Sequence, residues 1–255
     1  MNVLQQLSPS IGIYIVLILI LTALGAVNAF LPQGSIASTL PNQQIPASRP
    51  VMALVTSGSM LVVYGGLGFV GLRLAEKLEF PPIWGPTATH YQRFVIPALV
   101  GVGTGIFFIV ADVLLKRLHP FGALPHPPFP TSLVASAVAG IGEEVIFRLF
   151  FIPFWTWLVS AVILGGRWQN EVFWAVAACS ALAFAVSHAP AVMAVFGIER
   201  INDVPAALMG EIILLNGVVS LLAAFTFRRY GFLAAVGVHF WTDVVWHIVW
   251  GVLSG

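Results

Sequence analysis

Three short runs place ionisable side chains within otherwise apolar sequence: Glu143-Glu144-x-x-x-Arg148, Phe184-x-x-x-His188 and His239-x-x-x-Asp243. Burying one such group in hydrocarbon costs roughly 2.5–3.5 kcal/mol on insertion scales, so a membrane chain that keeps six of them is expected to use them as a polar site. On a helix, Glu144 and Arg148 stand at i, i+4 with the acid first, the order that favours pairing and lowers the burial cost of both. Glu143 points about 100° away around the same helix and lacks that partner. It can therefore face a water-holding cavity and act as a general base. The alternative is a buried ion-pair cluster that only locks helices together.

His188 has Phe184 one turn earlier on its own face, and Pro190 follows close behind, so an interface histidine is the rival to a catalytic one. His239, Asp243 and His247 recur at i, i+4, i+8, a single polar stripe on a run otherwise made of Val, Phe, Trp and Ile. Such a stripe can hold a metal ion, hydrogen-bond a substrate carbonyl, or line a proton path.

These residues need elements that cross a bilayer. Hydrophobic residues make up 59% of the 255, charged residues 8%, and mean hydropathy is +0.96. Soluble domains hold about 45–50% apolar and about 25% charged residues, so the expectation is an integral, multi-pass membrane protein. A span takes about 20 mostly apolar residues, and seven stretches qualify: 11–30, 51–72, 94–115, 132–151, 172–188, 206–227 and 232–253. An eighth, 153–164, is conceivable if Pro153 kinks or restarts the helix. The fold class is all-α, a polytopic transmembrane helical bundle of about seven to eight spans. The connecting loops, 31–50, 76–90 and 119–130 among them, are too short for a soluble domain. Residues 1–255 are thus read as one membrane domain with its motif-bearing catalytic part at 131–253.

Residues 11–24 followed by Val27-Asn28-Ala29 resemble a signal peptide, yet residues 1–10 carry no Lys or Arg, so this segment is taken as the first span. A net charge of +1 excludes a basic nucleic-acid surface or a polybasic lipid anchor. The single cysteine, Cys179, excludes an intrachain disulfide and a cysteine-based metal cluster. Gly65, Gly66, Gly68 and Gly71, then Gly101, Gly103 and Gly105, form small-residue stripes suited to close helix packing. Arg73, Lys77, Arg93, Arg167, Arg228 and Arg229 flank the even loops, against Arg49, Lys116, Arg117 and Arg200 on the odd ones, which puts the N-terminus and the even loops in the cytoplasm. Asp112, at i, i+4 to Lys116, is expected to pair with it, and Glu211 to pair or sit near an interface.

The three motifs, in this order on separate spans, resemble those of the CPBP family of intramembrane proteases, the CAAX prenyl protease and bacteriocin-processing group. The likeness covers Glu143 to Asp243, about 100 of 255 residues. It implies an intramembrane endopeptidase in which Glu143 and His188 activate water and His239 and Asp243 bind the oxyanion. In an older view of the family the same four residues, Glu143, His188, His239 and Asp243, would help hold a metal such as zinc. Otherwise no cofactor is implied. Glu144, Arg148 and Phe184 would serve as structural support. Two departures stand out: Leu149 follows the motif arginine where the family often has Gly, and Asp243 stands where eukaryotic members have Asn. An ionised Asp cannot donate a hydrogen bond, so Asp243 must be protonated, orient His239, or ligate a metal. His-Glu-x-x-His, Gly-x-Ser-Gly and Gly-x-Gly-Asp motifs are absent.

The partners implied are membrane lipid and a peptide or a prenylated or lipidated protein, with no nucleic acid and the oligomeric state left open. A bacterial member would lie in the cell membrane and process peptides, confer bacteriocin immunity or act as a scaffold; a eukaryotic one would lie in the endoplasmic reticulum. The rival readings are a proton-coupled transporter, disfavoured because the ionisable groups cluster in the second half of the chain, and a non-proteolytic peptide-binding protein.

Overall fold

The computed structural model describes residues 8–33 and 48–254. The N-terminal residues 1–7, considered above for signal-peptide charge, and most of the first loop, 34–47, lie outside the described residues. Among the described residues every regular element is helical. Seven helices are long and apolar enough to cross a membrane: α1 Pro9–Asn28, α2 Arg49–Lys77, α3 Tyr91–Leu115, α4 Thr131–Ile163, α5 Gln169–Phe196, α6 Ala206–Tyr230 and α7 Phe232–Ser254. Large apolar side chains such as Leu54, Val62, Leu99 and Leu253 stand exposed on their outer faces, as lipid-facing positions must. The protein is an integral multi-pass membrane protein.

Helix starts follow local chemistry. Ser8 accepts a hydrogen bond from the Ile11 amide and Pro9 opens α1, a proline position where no backbone donor is lost. Between α6 and α7 stands Gly231, with φ of +90° and no room for a Cβ, which would lie 2.7 Å from the Pro82 carbonyl oxygen. Only glycine meets both demands, and the one-residue turn folds α7 back along α6.

Several expectations need correction. The stretch 153–164 is no separate span: α4 runs unbroken from Thr131 to Ile163, because Pro153 falls just after a π-helical segment, Val145–Phe151, at the start of the next α-helical one. There its missing N–H and bulky ring disrupt less than in a regular helix interior. Nor does the fifth span end at His188. That residue is the joint between Gln169–Ser187 and Ala189–Phe196, with Pro190 in the first turn of the second piece. Asp112 takes no ion pair with Lys116; it is fully buried and accepts the Leu124 amide at 2.9 Å. For Glu211 the pairing alternative holds: it is fully buried, with Oε2 2.8 Å from Nε2 of His119.

The glycine stripes divide. A Cβ on Gly71 would strike the Leu149 carbonyl of α4, and on Gly101 the Val238 carbonyl of α7, whereas Gly66 and Gly103 have nothing within 4 Å. In these stripes Gly71 lets the α2 and α4 backbones meet and Gly101 those of α3 and α7, while Gly68 also makes room for Tyr14 of α1. Thr242 reinforces the second contact, donating to the Gly101 carbonyl at 3.2 Å. One apolar cluster, with Leu21, Val145, Leu149, Phe173 and Phe227, fixes α4 against α1, α2, α5 and α6. Another, with Phe108, Phe184, Leu215, Val238 and Trp246, borders the polar site.

Candidate active site

The three motifs converge. Glu143, Glu144 and Arg148 come from α4, Phe184 and His188 from α5, His239 and Asp243 from α7. In two of the three helices the motif abuts a π-helical segment, Val145–Phe151 after the glutamates and Val244–Trp250 after Asp243, a local widening often found at functional positions.

The adjacent glutamates face different surroundings. The side chain of Glu144 is wholly buried, its Oε1 3.0 Å from Nη1 of an equally buried Arg148. The same oxygen accepts from Nδ1 of His239 at 2.8 Å, so Glu144 fixes the orientation of an imidazole 95 residues away as well as neutralising Arg148. The Arg148 guanidinium lies over the Phe184 ring at 4.7 Å, a favourable cation–π placement. Phe184 in turn packs against both His188 and His239, with ring centroids at 4.7 and 5.6 Å. Phe184 thus touches the cation and both imidazoles.

Glu143 opens on a cavity. Its Oε2 is shielded and has no hydrogen-bond partner among the described residues, yet Nε2 of His188 lies 3.9 Å and Nε2 of His239 3.7 Å from it. Nδ1 of His188 sits 2.8 Å from the Phe184 carbonyl and so donates to it, which turns the lone pair of Nε2 toward Glu143. Asp243 Oδ2 is 3.8 Å from Nε2 of His239. The gap between Glu143 and His188 is too long for a direct hydrogen bond and suits a single bridging water.

The cavity holds about 350 Å³, within the range of small-ligand sites. Glu143, His188, His239, Asp243 and His247 form its polar side; Phe108, Val192, Val195, Leu215, Val219 and Trp246 its apolar walls. Leu124, Pro125 and Pro127 of the α3–α4 connection close one edge. That connection is tied down through His119 and the Leu124 amide, as described above. Its His126 meets His247, Nδ1 to Nδ1, at 3.2 Å and packs edge-on to Trp246 at 4.6 Å. Burial holds the His126 imidazole below the ordinary histidine range, with the Asp112 carboxylate pulling the other way. His126 belongs to none of the three motifs and lies in a proline-rich loop, where no periodic signal marks it in the sequence.

Among the described residues no group of three or more His, Cys, Asp or Glu side chains is arranged to hold a metal ion. The metal-ligand alternative for Glu143, His188, His239 and Asp243 thus gains no support from this geometry.

No curated protein and no solved structure matches the chain. The family model described as Type II CAAX prenyl endopeptidase Rce1-like matches residues 125–245, a stretch that opens at the cavity edge and closes just past Asp243, so that it takes in all three motifs. Residues 125–245, with all three motifs, are thus similar to the type II CAAX prenyl endopeptidase Rce1-like family, which supports the resemblance that the motifs carry.

Proposed function

We propose that the protein is an intramembrane endopeptidase in which Glu143 and His188 activate a water molecule against a peptide bond held in the cavity. Glu143 Oε2 and His188 Nε2 both present lone pairs across 3.9 Å. A water between them donates one hydrogen to each, and its oxygen lone pair is left to attack the substrate carbonyl. Glu143 takes the proton as the carbon–oxygen bond forms, then passes it to the leaving amine as the carbon–nitrogen bond breaks. His239, protonated at Nε2 and oriented by Glu144 through Nδ1, donates to the developing oxyanion. Asp243, at 3.8 Å from the same nitrogen, acts in its neutral form as a second donor or as an orienter of His239. Substrates are peptides, with a prenylated or otherwise lipidated protein segment the form best suited to a site between apolar helices.

The observation that carries this reading is the unpartnered Glu143 oxygen flanked by two imidazole nitrogens from different helices. A lock made only of ion pairs would leave no such unpartnered oxygen on a residue that lines a cavity. Purified protein in lipid, given a quenched prenylated peptide in ¹⁸O-water, should release a product with one ¹⁸O in its new carboxylate. Equal cleavage by wild type and Glu143→Ala would remove the site from the chemistry.

A further inference from the structure

His247 lines the cavity one turn beyond Asp243, and its Nδ1 meets Nδ1 of His126 at 3.2 Å. Two neutral imidazoles in that contact share one N–H, so one ring donates and the other accepts. If His126 donates, the proton of His247 must sit on Nε2. If His247 donates, its Nε2 carries a bare lone pair on a cavity already lined by the Glu143 carboxylate and by His188, whose Nε2 also presents a lone pair. Acceptor facing acceptors in an apolar enclosure is the costlier arrangement, so His126 is the donor. Among the described residues the His247 side chain hydrogen-bonds through Nδ1, to His126, and the residue lines the cavity, which leaves its Nε2–H for whatever enters.

We propose that His247 is a substrate-binding residue whose Nε2–H, fixed by the positioning residue His126, grips an oxygen acceptor of the bound peptide, a backbone carbonyl or a terminal carboxylate. One helical turn spans about 5.4 Å and an extended peptide advances about 3.3–3.6 Å per residue. The gripped oxygen therefore belongs roughly one to two residues from the bond attacked beside Glu143. The remaining polar side chain of the wall, Asn216, spends one of its two amide hydrogens on the Ile212 carbonyl of its own helix at 2.9 Å, whereas the free N–H of His247 lies on the helix that carries His239 and Asp243. The proposal rests on the peptidase reading above, and its test separates the two.

A Glu143→Gln chain, unable to turn substrate over, is titrated with a dye-labelled prenylated peptide ending in a free carboxylate and with the same peptide as its C-terminal amide. Adding His247→Phe should weaken binding roughly tenfold, His126→Phe roughly threefold, and His247→Gln, which keeps an amide N–H, should restore most of the loss. Weakening confined to the carboxylate peptide identifies the terminal carboxylate as ligand; equal weakening of both identifies a backbone carbonyl. Either result supports the proposal. In the Glu143-intact enzyme His247→Phe should raise KM by a similar factor with kcat little changed, the mark of uniform binding. Unchanged binding of both peptides by His247→Phe, or His247→Gln as weak as His247→Phe at matched thermal melts, would overturn it. Should the Phe variants fail to fold, ¹⁵N-histidine spectra of the unsubstituted chain decide: Nε2 of His247 should carry the proton and Nδ1 should not, and the reverse would overturn the assignment. If the Glu143→Gln chain binds neither peptide, both readings fall. If it binds them but wild type cuts neither, only the peptidase reading fails, and the His247 comparison still stands.

Discussion

Glu143 and Glu144 are neighbours in sequence with opposite surroundings, and substitutions should separate them. Arg148→Ala strips the buried Glu144 of its guanidinium partner and leaves it His239 alone, which should destabilise the protein by about 3–5 kcal/mol and lower activity as well, because Glu144 orients His239. Glu143→Gln should leave the thermal melt in detergent unchanged, since its oxygen makes no hydrogen bond that the fold depends on. Matching losses of melting temperature in the two variants would show that the division is wrong. Asp243→Asn should retain activity: a neutral Asp and an Asn both offer a donor, and an Asn carbonyl can still orient His239, at a cost of about tenfold if orientation is the role. A pH–rate profile of both forms with metal content measured alongside checks this; complete inactivity with loss of a bound metal would contradict it. The Glu144–Arg148 pairing was legible in the sequence because the helical period alone sets it. The Glu144–His239 and His126–His247 contacts were not, since they join residues 95 and 121 positions apart and depend on how helices pack. The expected Asp112–Lys116 pair failed for the same reason: burial of Asp112 behind the α3–α4 connection exchanged a local lysine for a distant backbone amide.

Helix periodicity and apolar length gave the spans to within a few residues at most ends, yet not the internal form of α4 and α7. Their π-helical turns follow Glu144 and Asp243 directly and have no compositional signature, which is why Pro153 suggested an eighth span that α4 absorbs. Glycine spacing showed that helices approach closely, but not which glycines face a neighbour. Gly71→Ala should drive a methyl group into the Leu149 carbonyl and destabilise by about 1–3 kcal/mol as overpacking does. Gly66→Ala, with open space around it, should be neutral or slightly stabilising through better helix propensity. Thermal melts of the two variants in the same lipid provide the comparison, and equal destabilisation would refute the assignment of the close α2–α4 contact.

Seven spans place the loop after α2 and the loop after α5 on opposite sides of the bilayer. The α3–α4 connection and the far part of α5, which border the cavity, lie toward the side of Arg200. In a Cys179→Ser background, Glu79→Cys should be shielded from an impermeant thiol reagent added to intact cells and Arg200→Cys labelled, as the charge bias of the loops predicts. Labelling of both from one side would contradict the seven-span arrangement. Composition alone pointed to a membrane bundle, and the ordered motifs to a family that residues 125–245 resemble; the cavity that unites them required three helices to meet at one depth. The most direct test of the whole account is the turnover of a quenched prenylated peptide by wild type and Glu143→Gln, reconstituted in the same lipid at matched thermal melts. Removing the base should cost about 10²–10⁴-fold in kcat with peptide binding preserved. Unchanged turnover in Glu143→Gln would contradict the claim that this carboxylate activates the attacking water.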